Sequence, residues 1–334
     1  VHLLCGTRNP INNLLRSAAG YTFDQLHLDL DSSPTDGLTG DGHIYTLNTG
    51  AILLDTIRWD ITQDAEGVAL RSSIKNGRRN RVASFRSTLQ ARLTATGATA
   101  HLDFIDAKGK KGVDLGIEAN MTPEGTRLHM TPLNSIIAYR RFTLNEDNYV
   151  ELTREGRVLA LIDLLADDGT GLHRYSSPME YALQDISLSM NNINMAELTS
   201  VMPYAPQLGG LLHGDLHYMQ ADSATTISTD IGIRRMTYEG TPMGDMGLNA
   251  IYFPNTDGSH HVDAVVTQND NEIAMLAGTY WERNGEGQID AEATLESLPL
   301  SLANAFRPEG TIRLKGATSG SLTITGRAAN PLMT

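Results

Sequence analysis

Three residues of this chain stand at a spacing that suits a metal: His213, Asp215 and His217. Alternation along a strand puts all three on one face, and two imidazoles with a carboxylate make a reasonable first shell for zinc. Leu212, Leu216 and Tyr218 then fall on the other face, so the same trio also reads as the solvated side of a half-buried strand, which is the reading adopted. His260 and His261 are adjacent, and adjacent strand residues point to opposite faces. The runs Ala166-Asp167-Asp168-Gly169 and Gln268-Asn269-Asp270-Asn271-Glu272 offer oxygen ligands of the kind calcium takes. Asn, Asp and Gly are also what hairpin turns require, and both runs are read as turns. No HExxH pair, Gly-x-Ser-x-Gly elbow, P-loop or dinucleotide glycine fingerprint is present. The expectation is a protein that is not an enzyme and that uses neither metal nor cofactor.

What holds these residues is a pattern that recurs from about Tyr21 to the end: short runs of alternating apolar and polar residues, closed by Gly, Asn or Asp turns. Val113, Leu115, Ile117, Ala119 and Met121 share a face opposite Asp114, Glu118 and Asn120, with turns at Lys108-Gly109-Lys110-Lys111-Gly112 and Pro123-Glu124-Gly125. The same pattern gives Leu89, Ala91, Leu93 and Ala95, with Ala83, Phe85 and Ser87 extending that face backwards. It gives Ile289, Ala291, Ala293 and Leu295 opposite Asp290 and Glu292, and also Ile227 and Ile231. The predicted fold is all-β: a long curled antiparallel sheet of roughly twenty strands, an elongated open trough with an apolar concave interior and a few short helices. The sets Val113 to Met121 and Ile289 to Leu295 are expected to line that interior together. A closed sandwich or barrel with a dry core is the alternative that sheet physics leaves open.

Composition narrows the partners. Lys and Arg number 26 against 39 Asp and Glu, and a net charge of -13 repels phosphate backbones and anionic membrane surfaces, so nucleic acid is excluded as a partner. Aromatic residues are only 6%, which suits a smooth aliphatic surface better than a platform for stacking bases or sugars. Cys5 is the single cysteine, so no internal disulfide and no thiolate zinc cluster can form. No run of eighteen apolar residues is present to span a bilayer as a helix. The chain opens on Val-His-Leu-Leu and stops in what reads as a turn before another strand; the expectation is a fragment of a longer protein.

Helices are few and well marked. Asn9 as N-cap and Pro10 at the first position lead into Ile11, Leu14, Leu15 and Ala18, and Gly20 ends the helix. A second starts at Asn194 with Glu197 completing a capping box and Ile193 and Leu198 as a staple, and Pro203 stops it. A third runs from about Pro299 to Phe306 and is stopped by Pro308. The second helix with Gly210 to Tyr218, and the third with Gly316 and Ser319 to Ile324, form a faint repeat. The whole of 1–334 is therefore read as one repeating trough, with sub-repeats near 21–205 and 206–334. Gly210, Gly214, Gly320 and Gly326 are expected where strands bend.

The run Gly210 to Tyr218, and still more Gly316-Ala-Thr-Ser-Gly320-Ser-Leu-Thr-Ile-Thr-Gly326-Arg-Ala-Ala-Asn330-Pro331, resembles the "G-x-L-x-[IV]-x-G" strand and Pro turn of the AsmA-like family. The stretches Tyr21 to Leu30, Ser33 to Leu38 and Leu54 to Ile57 are similar to it as well. The resemblance implies a periplasmic protein anchored in the inner membrane of a Gram-negative bacterium. It implies a long curled sheet around a greasy groove, and an outer-membrane partner of the Omp85 family, TamA-like.

The function expected is bridge-like transport of phospholipid between inner and outer membrane. Acyl chains would lie against the groove residues Leu89, Ala91, Leu93, Ala95, Val113, Leu115, Ile117, Ala119, Ile227, Ile231, Ile289, Ala291, Ala293 and Leu295. The alternative is assembly of outer-membrane proteins by strand addition together with the Omp85-type partner. A repetitive spacer with a filled core is a third class.

Overall fold

A computed structural model describes all residues except 36, 51–52, 78–83, 177–181, 203–204, 222–223 and 307–313. Among the described residues the chain is all-β: twenty-two strands of one antiparallel sheet, with two short α-helices and a 3-10 helix over Leu300–Phe306. It divides into two units, Val1–Glu151 with Glu197–Ala205, and Leu152–Ala196 with Pro206–Thr334.

The first unit carries β1 (His2–Cys5), β2 (Gln25–Ser33), β3 (Gly37–Asn48), β4 (Leu53–Asp64), β5 (Gly67–Asn76), β6 (Phe85–Leu93), β7 (Gly97–Asp106), β8 (Lys111–Met121), β9 (Gly125–Ile137) and β10 (Arg140–Leu144). Each strand from β1 to β10 pairs antiparallel with the next in sequence. β11 (Tyr149–Thr153) follows at the division between the units. The second unit carries β12 (Val158–Leu165), β13 (Gly171–Ser176), β14 (Gln184–Asn194), β15 (Leu208–Ala221), β16 (Ala224–Tyr238), β17 (Thr241–Pro254), β18 (His260–Gln268), β19 (Asn271–Arg283), β20 (Glu286–Pro299), β21 (Ala317–Arg327) and β22 (Leu332–Met333). These too form a meander of neighbours.

The turn residues explain the meander. Ala138-Tyr139, Glu239-Gly240, Asn269-Asp270 and Asn284-Gly285 all have positive φ at both positions, the type I′ geometry whose twist matches the flanking strands. The acidic run at Gln268 to Glu272 is thus a two-residue hairpin. At Ala166-Asp167-Asp168-Gly169 the left-handed Gly169 returns its N–H to the Ala166 carbonyl, closing a second hairpin. Gly210 sits at a register shift in β15, and Gly214 (φ 135°) presses against the backbone of Asp230 where pairing with β14 then slips. Gly320 lies beside the shift after Leu295, and Gly326 has φ 96°.

Helix α1 (Pro10–Ala19) has the expected ends: the Asn9 side chain accepts from the Asn12 N–H, and left-handed Gly20 closes the C-terminus. Its anchor is polar. Asn12, 1% exposed, donates to the carbonyls of Thr7 and Phe23 and accepts from the Phe23 N–H, while Leu14 of the expected apolar stripe is 66% exposed. Helix α2 (Met195–Ser200) begins after Asn194, whose side chain accepts from the Ala196 N–H, and Glu197 takes two bonds from Arg140. The stops expected at Pro203 and Pro308 lie outside the described residues.

Close approach sets some positions. Gly42 of β3 lies under the Trp59 indole: a Cβ there would sit 2.3 Å from a ring carbon and 2.6 Å from the His27 carbonyl oxygen. Gly320 has open space around it. Gly42→Ala is therefore expected to destabilise by about 1–3 kcal/mol through overpacking, whereas Gly320→Ala changes stability by less than about 0.5 kcal/mol. Denaturant midpoints of the two variants test this, and equal effects would show that Trp59 moves aside freely.

Candidate functional site

Register, more than any single residue, builds the candidate site of the first unit. Val68, Leu93, Ala98, Ala119 and Leu128 stand directly opposite one another across β5 to β9. The next row runs Ile61, Leu70, Ala91, Ala100, Ile117 and Met130, and a third joins Leu89, Leu102 and Leu115. All share one face. The opposite face carries Asp60, Arg71, Gln90 and His101 in one row and Arg92, Thr99 and Glu118 in another.

Leu89, Ala91, Leu93, Val113, Leu115, Ile117 and Ala119 thus lie where the sequence puts them, with Asp114 and Glu118 behind. Ala95 does not. It stands in the bend after β6, where the Thr94 N–H bonds the Gly97 carbonyl at 2.9 Å, and a turn residue belongs to neither face. Ala83 lies outside the described residues. Sequence reasoning also left out Ile61, Leu70, Leu102, Leu128 and Met130, whose membership follows only from pairing.

The two rims of this face differ. Along β6, exposure falls from 60% at Leu93 through 37% at Leu89 to 8% at Phe85; β8 is open at Met121 (56%) and Ile117 (39%). At the closed rim Phe85 stacks on Phe104 with centroids 5.3 Å apart. Gly112 lies there beneath Val201, Phe104 and Tyr139. Arg140 fastens the segment that carries Val201, donating through Nε and Nη2 to Glu197 at 3.2 and 3.0 Å. Burial, with Asp106 nearby, pushes the Tyr139 hydroxyl above its ordinary range. Helix α1 spans the same rim between β1 and β2, where Phe23 and Cys5 are buried.

The second unit has its own apolar face. Ile227, Tyr252, Val262, Gly278, Ala291 and Ile324 form one row; Ile231, Leu248, Val266, Ala274 and Leu295 form another; Ala250, Ala264, Leu276, Ala293 and Leu322 lie between them. Ile289 extends the set opposite Tyr280, and Asp290 and Glu292 point the other way. A hollow of about 200 Å³ opens among Ile227, Ala250, Tyr252 and Val262. Ala291 is only 4% exposed, because the Gly278 backbone closes on it.

The potential metal trio does not converge. His213 lies across Gly232, with a buried Nδ1 that has no hydrogen-bond partner, while Nε2 of His217 meets Oδ1 of Asp185 at 2.7 Å. Asp215 faces Ser189 and Asp230. Among the described residues, His101, Asp103 and Asp114 do converge, and the Lys111 ammonium already sits between the two carboxylates at 2.9 and 2.7 Å. Those hydrogen bonds hold the Lys111 amine above its ordinary range. His2, Asp29 and Asp31 form a second, partly exposed group. His260 stacks on Tyr252 and His261 leans on Phe253, on opposite faces as adjacency requires.

Two hollows on the polar faces were not legible in the sequence. One of about 510 Å³ is bounded by Asp60, Arg71, Gln90, His101 and Thr131; another of about 400 Å³ is bounded by His173, Tyr175, Asp215, His217, Asp230 and Asn249. Each is a cross-strand row, visible only once register is known. No protein-family model, curated protein or solved structure matches the chain. Among the described residues no helix is long and apolar enough to cross a membrane.

On the polar face of β2 and β3, His43 packs between His27 and Tyr45 at 5.2 and 4.5 Å. Burial first, then His27 and Arg58, push its imidazole below the ordinary histidine range, with Asp41 opposing. The unfolded chain therefore takes up a proton that the folded chain resists, so this contribution is present above the ordinary histidine pKa of about 6.5 and is lost as pH falls through it. Stability of the native chain is expected to drop more between about pH 7 and 5.5 than that of His43→Gln. Parallel pH profiles in urea melts would contradict it.

Proposed function

We propose that the apolar faces bind the acyl chains of phospholipids and that the chain acts as a conduit along which lipid moves. The observation that carries this reading is apolar rows running unbroken across five or more strands with large side chains left open, Leu93 at 60% and Met121 at 56%. An aliphatic face of this kind is satisfied by hydrocarbon, each methylene contributing about 0.8 kcal/mol, and needs no specific polar contact. Together with the motif resemblance, it supports membership of the AsmA-like proteins of the TamB type, with a periplasmic place between the two membranes and an Omp85-family partner. Chemistry is not required of any residue; continuity of apolar surface is.

Photo-crosslinkers at Leu93, Ile117 and Leu248 should trap lipid from membrane extract, and one at Asp114 should not. Equal labelling from Asp114, or none from the apolar positions, would sink the conduit. In a membrane-permeability assay Leu93→Glu, Ile117→Glu and Ala293→Glu should abolish function, since a carboxylate among aliphatics costs several kcal/mol or takes up a proton. His213→Ala and Asp215→Ala should leave it nearly intact. The inverse outcome would point to the polar face.

A further inference from the structure

We propose that the first unit selects acyl chains by length, its apolar face ending in a fixed floor that stops a hydrocarbon of about 14 to 20 carbons laid along the strands. This rests on the acyl-chain reading above. The stop is abrupt. On β7, Leu102 is 39% exposed and Phe104, two residues further, is 6% exposed; on β6 exposure falls from 37% at Leu89 to 8% at Phe85. Leu89, Leu102 and Leu115 stand opposite one another in the last open row, and Ser87, Phe104 and Val113 in the row behind it. Ser87 turns its hydroxyl to the backbone, donating to the Asp103 carbonyl at 3.0 Å, so the closing row offers a chain end no polar group there.

The floor is held from several sides. A register shift between Phe104 and Ile105 sets Gly112 where a Cβ would lie 2.8 Å from Val201, 3.0 Å from Phe104 and 3.0 Å from Tyr139. The Tyr139 N–H bonds the Gly112 carbonyl at 2.9 Å, and the Lys110 ammonium lies 4.9 Å from the centre of the Tyr139 ring. The Arg140 to Glu197 pair fastens the segment that carries Val201. Side chains packed from separate segments at once do not part for a terminal methyl.

Strand geometry gives the depth in front of this floor. Leu93 lies six residues beyond Ser87 on β6, and Met121 eight beyond Val113 on β8. At about 3.3–3.4 Å per residue these spans are roughly 20 and 27 Å, of which about 4 Å is contact distance to the floor. An extended chain advances about 1.2 Å per bond, as a polypeptide does with three bonds in roughly 3.3–3.6 Å, so about 14 to 20 carbons fit before the rim. A longer chain returns methylenes to water past Leu93 and Met121, each lowering occupancy about fourfold. A shorter chain leaves aliphatic rows wet at one end.

The test equilibrates the full chain, carrying a photo-crosslinker at Ile117 in the middle of the face, with vesicles of phosphatidylcholines in equal parts. Their monounsaturated chains have roughly 12, 18 and 24 carbons, all long enough to reach that position from the floor. Adducts are counted by mass spectrometry. The middle length should exceed the longest by about tenfold or more, and should exceed the shortest as well. Leu102→Trp, at an exposed position, raises the floor by one row, about 7 Å, and should pass the lead to the shortest chain. Equal yields, a lead for the longest chain, or a native order that Leu102→Trp leaves unmoved would overturn the length proposal alone; should that variant fail to fold, the native order decides. Absence of adducts at every length would overturn the acyl-chain reading and this proposal with it.

Discussion

Every property of this chain depends on ladder register. In an antiparallel sheet the residue opposite position i decides what its side chain meets, and a slip of one residue exchanges the two faces completely. Here the hydrogen bonds place Leu70 against Ala91, Ala91 against Ala100, Ala100 against Ile117 and Ile117 against Met130, without a polar intruder. Aliphatic side chains in direct opposition stabilise that pairing, and Arg71, Gln90 and His101 on the other face would lose solvation in any slipped arrangement. The pattern that specifies the fold is thus the same pattern that creates the apolar surface.

That surface is finished by contacts that are not periodic. The polar face is cross-braced by pairs such as His217 with Asp185 and Lys111 with Asp103 and Asp114, the Lys111 ammonium lying between two carboxylates that stand opposite one another. Glycines admit flat neighbours, as Gly42 admits Trp59 and Gly232 admits His213. At one rim of the first unit, Asn12 and the Arg140 to Glu197 pair hold short segments over the strand ends. A sheet that was apolar to both rims would expose a larger greasy area. With one rim closed, it has a floor and a mouth.

The strands were legible because period two is a direct image of the pleat: Leu89 to Leu93, Val113 to Met121 and Ile289 to Leu295 announce a face in their own order. The caps of α1 were legible for the same local reason, since Asn9, Pro10 and Gly20 each suit one backbone geometry. Ala95 misleads because alternation of residue type continues through Thr94-Ala95-Thr96 after the hydrogen bonding has already turned the chain. The aromatic floor was hidden because Phe85, Phe104, Tyr139 and Val201 are distant in sequence and only pairing brings them together. His213, Asp215 and His217 share a face as their spacing demands, yet neighbouring strands supply Gly232 and Asp185 and so draw the imidazoles to different partners. Spacing alone carries no information about those neighbours.

The chain's two tryptophans provide the most direct test of lipid on one face only. Trp59 lies in the apolar row between Gly42 and Ser72, and Trp281 lies on the polar face opposite Gln288. Fluorescence of the single-tryptophan variants Trp281→Phe and Trp59→Phe should be measured while phospholipid with brominated acyl chains is added. Strong quenching of Trp59 with little change at Trp281 is the predicted result. Equal quenching of both, or quenching of Trp281 alone, would contradict an acyl-binding apolar face.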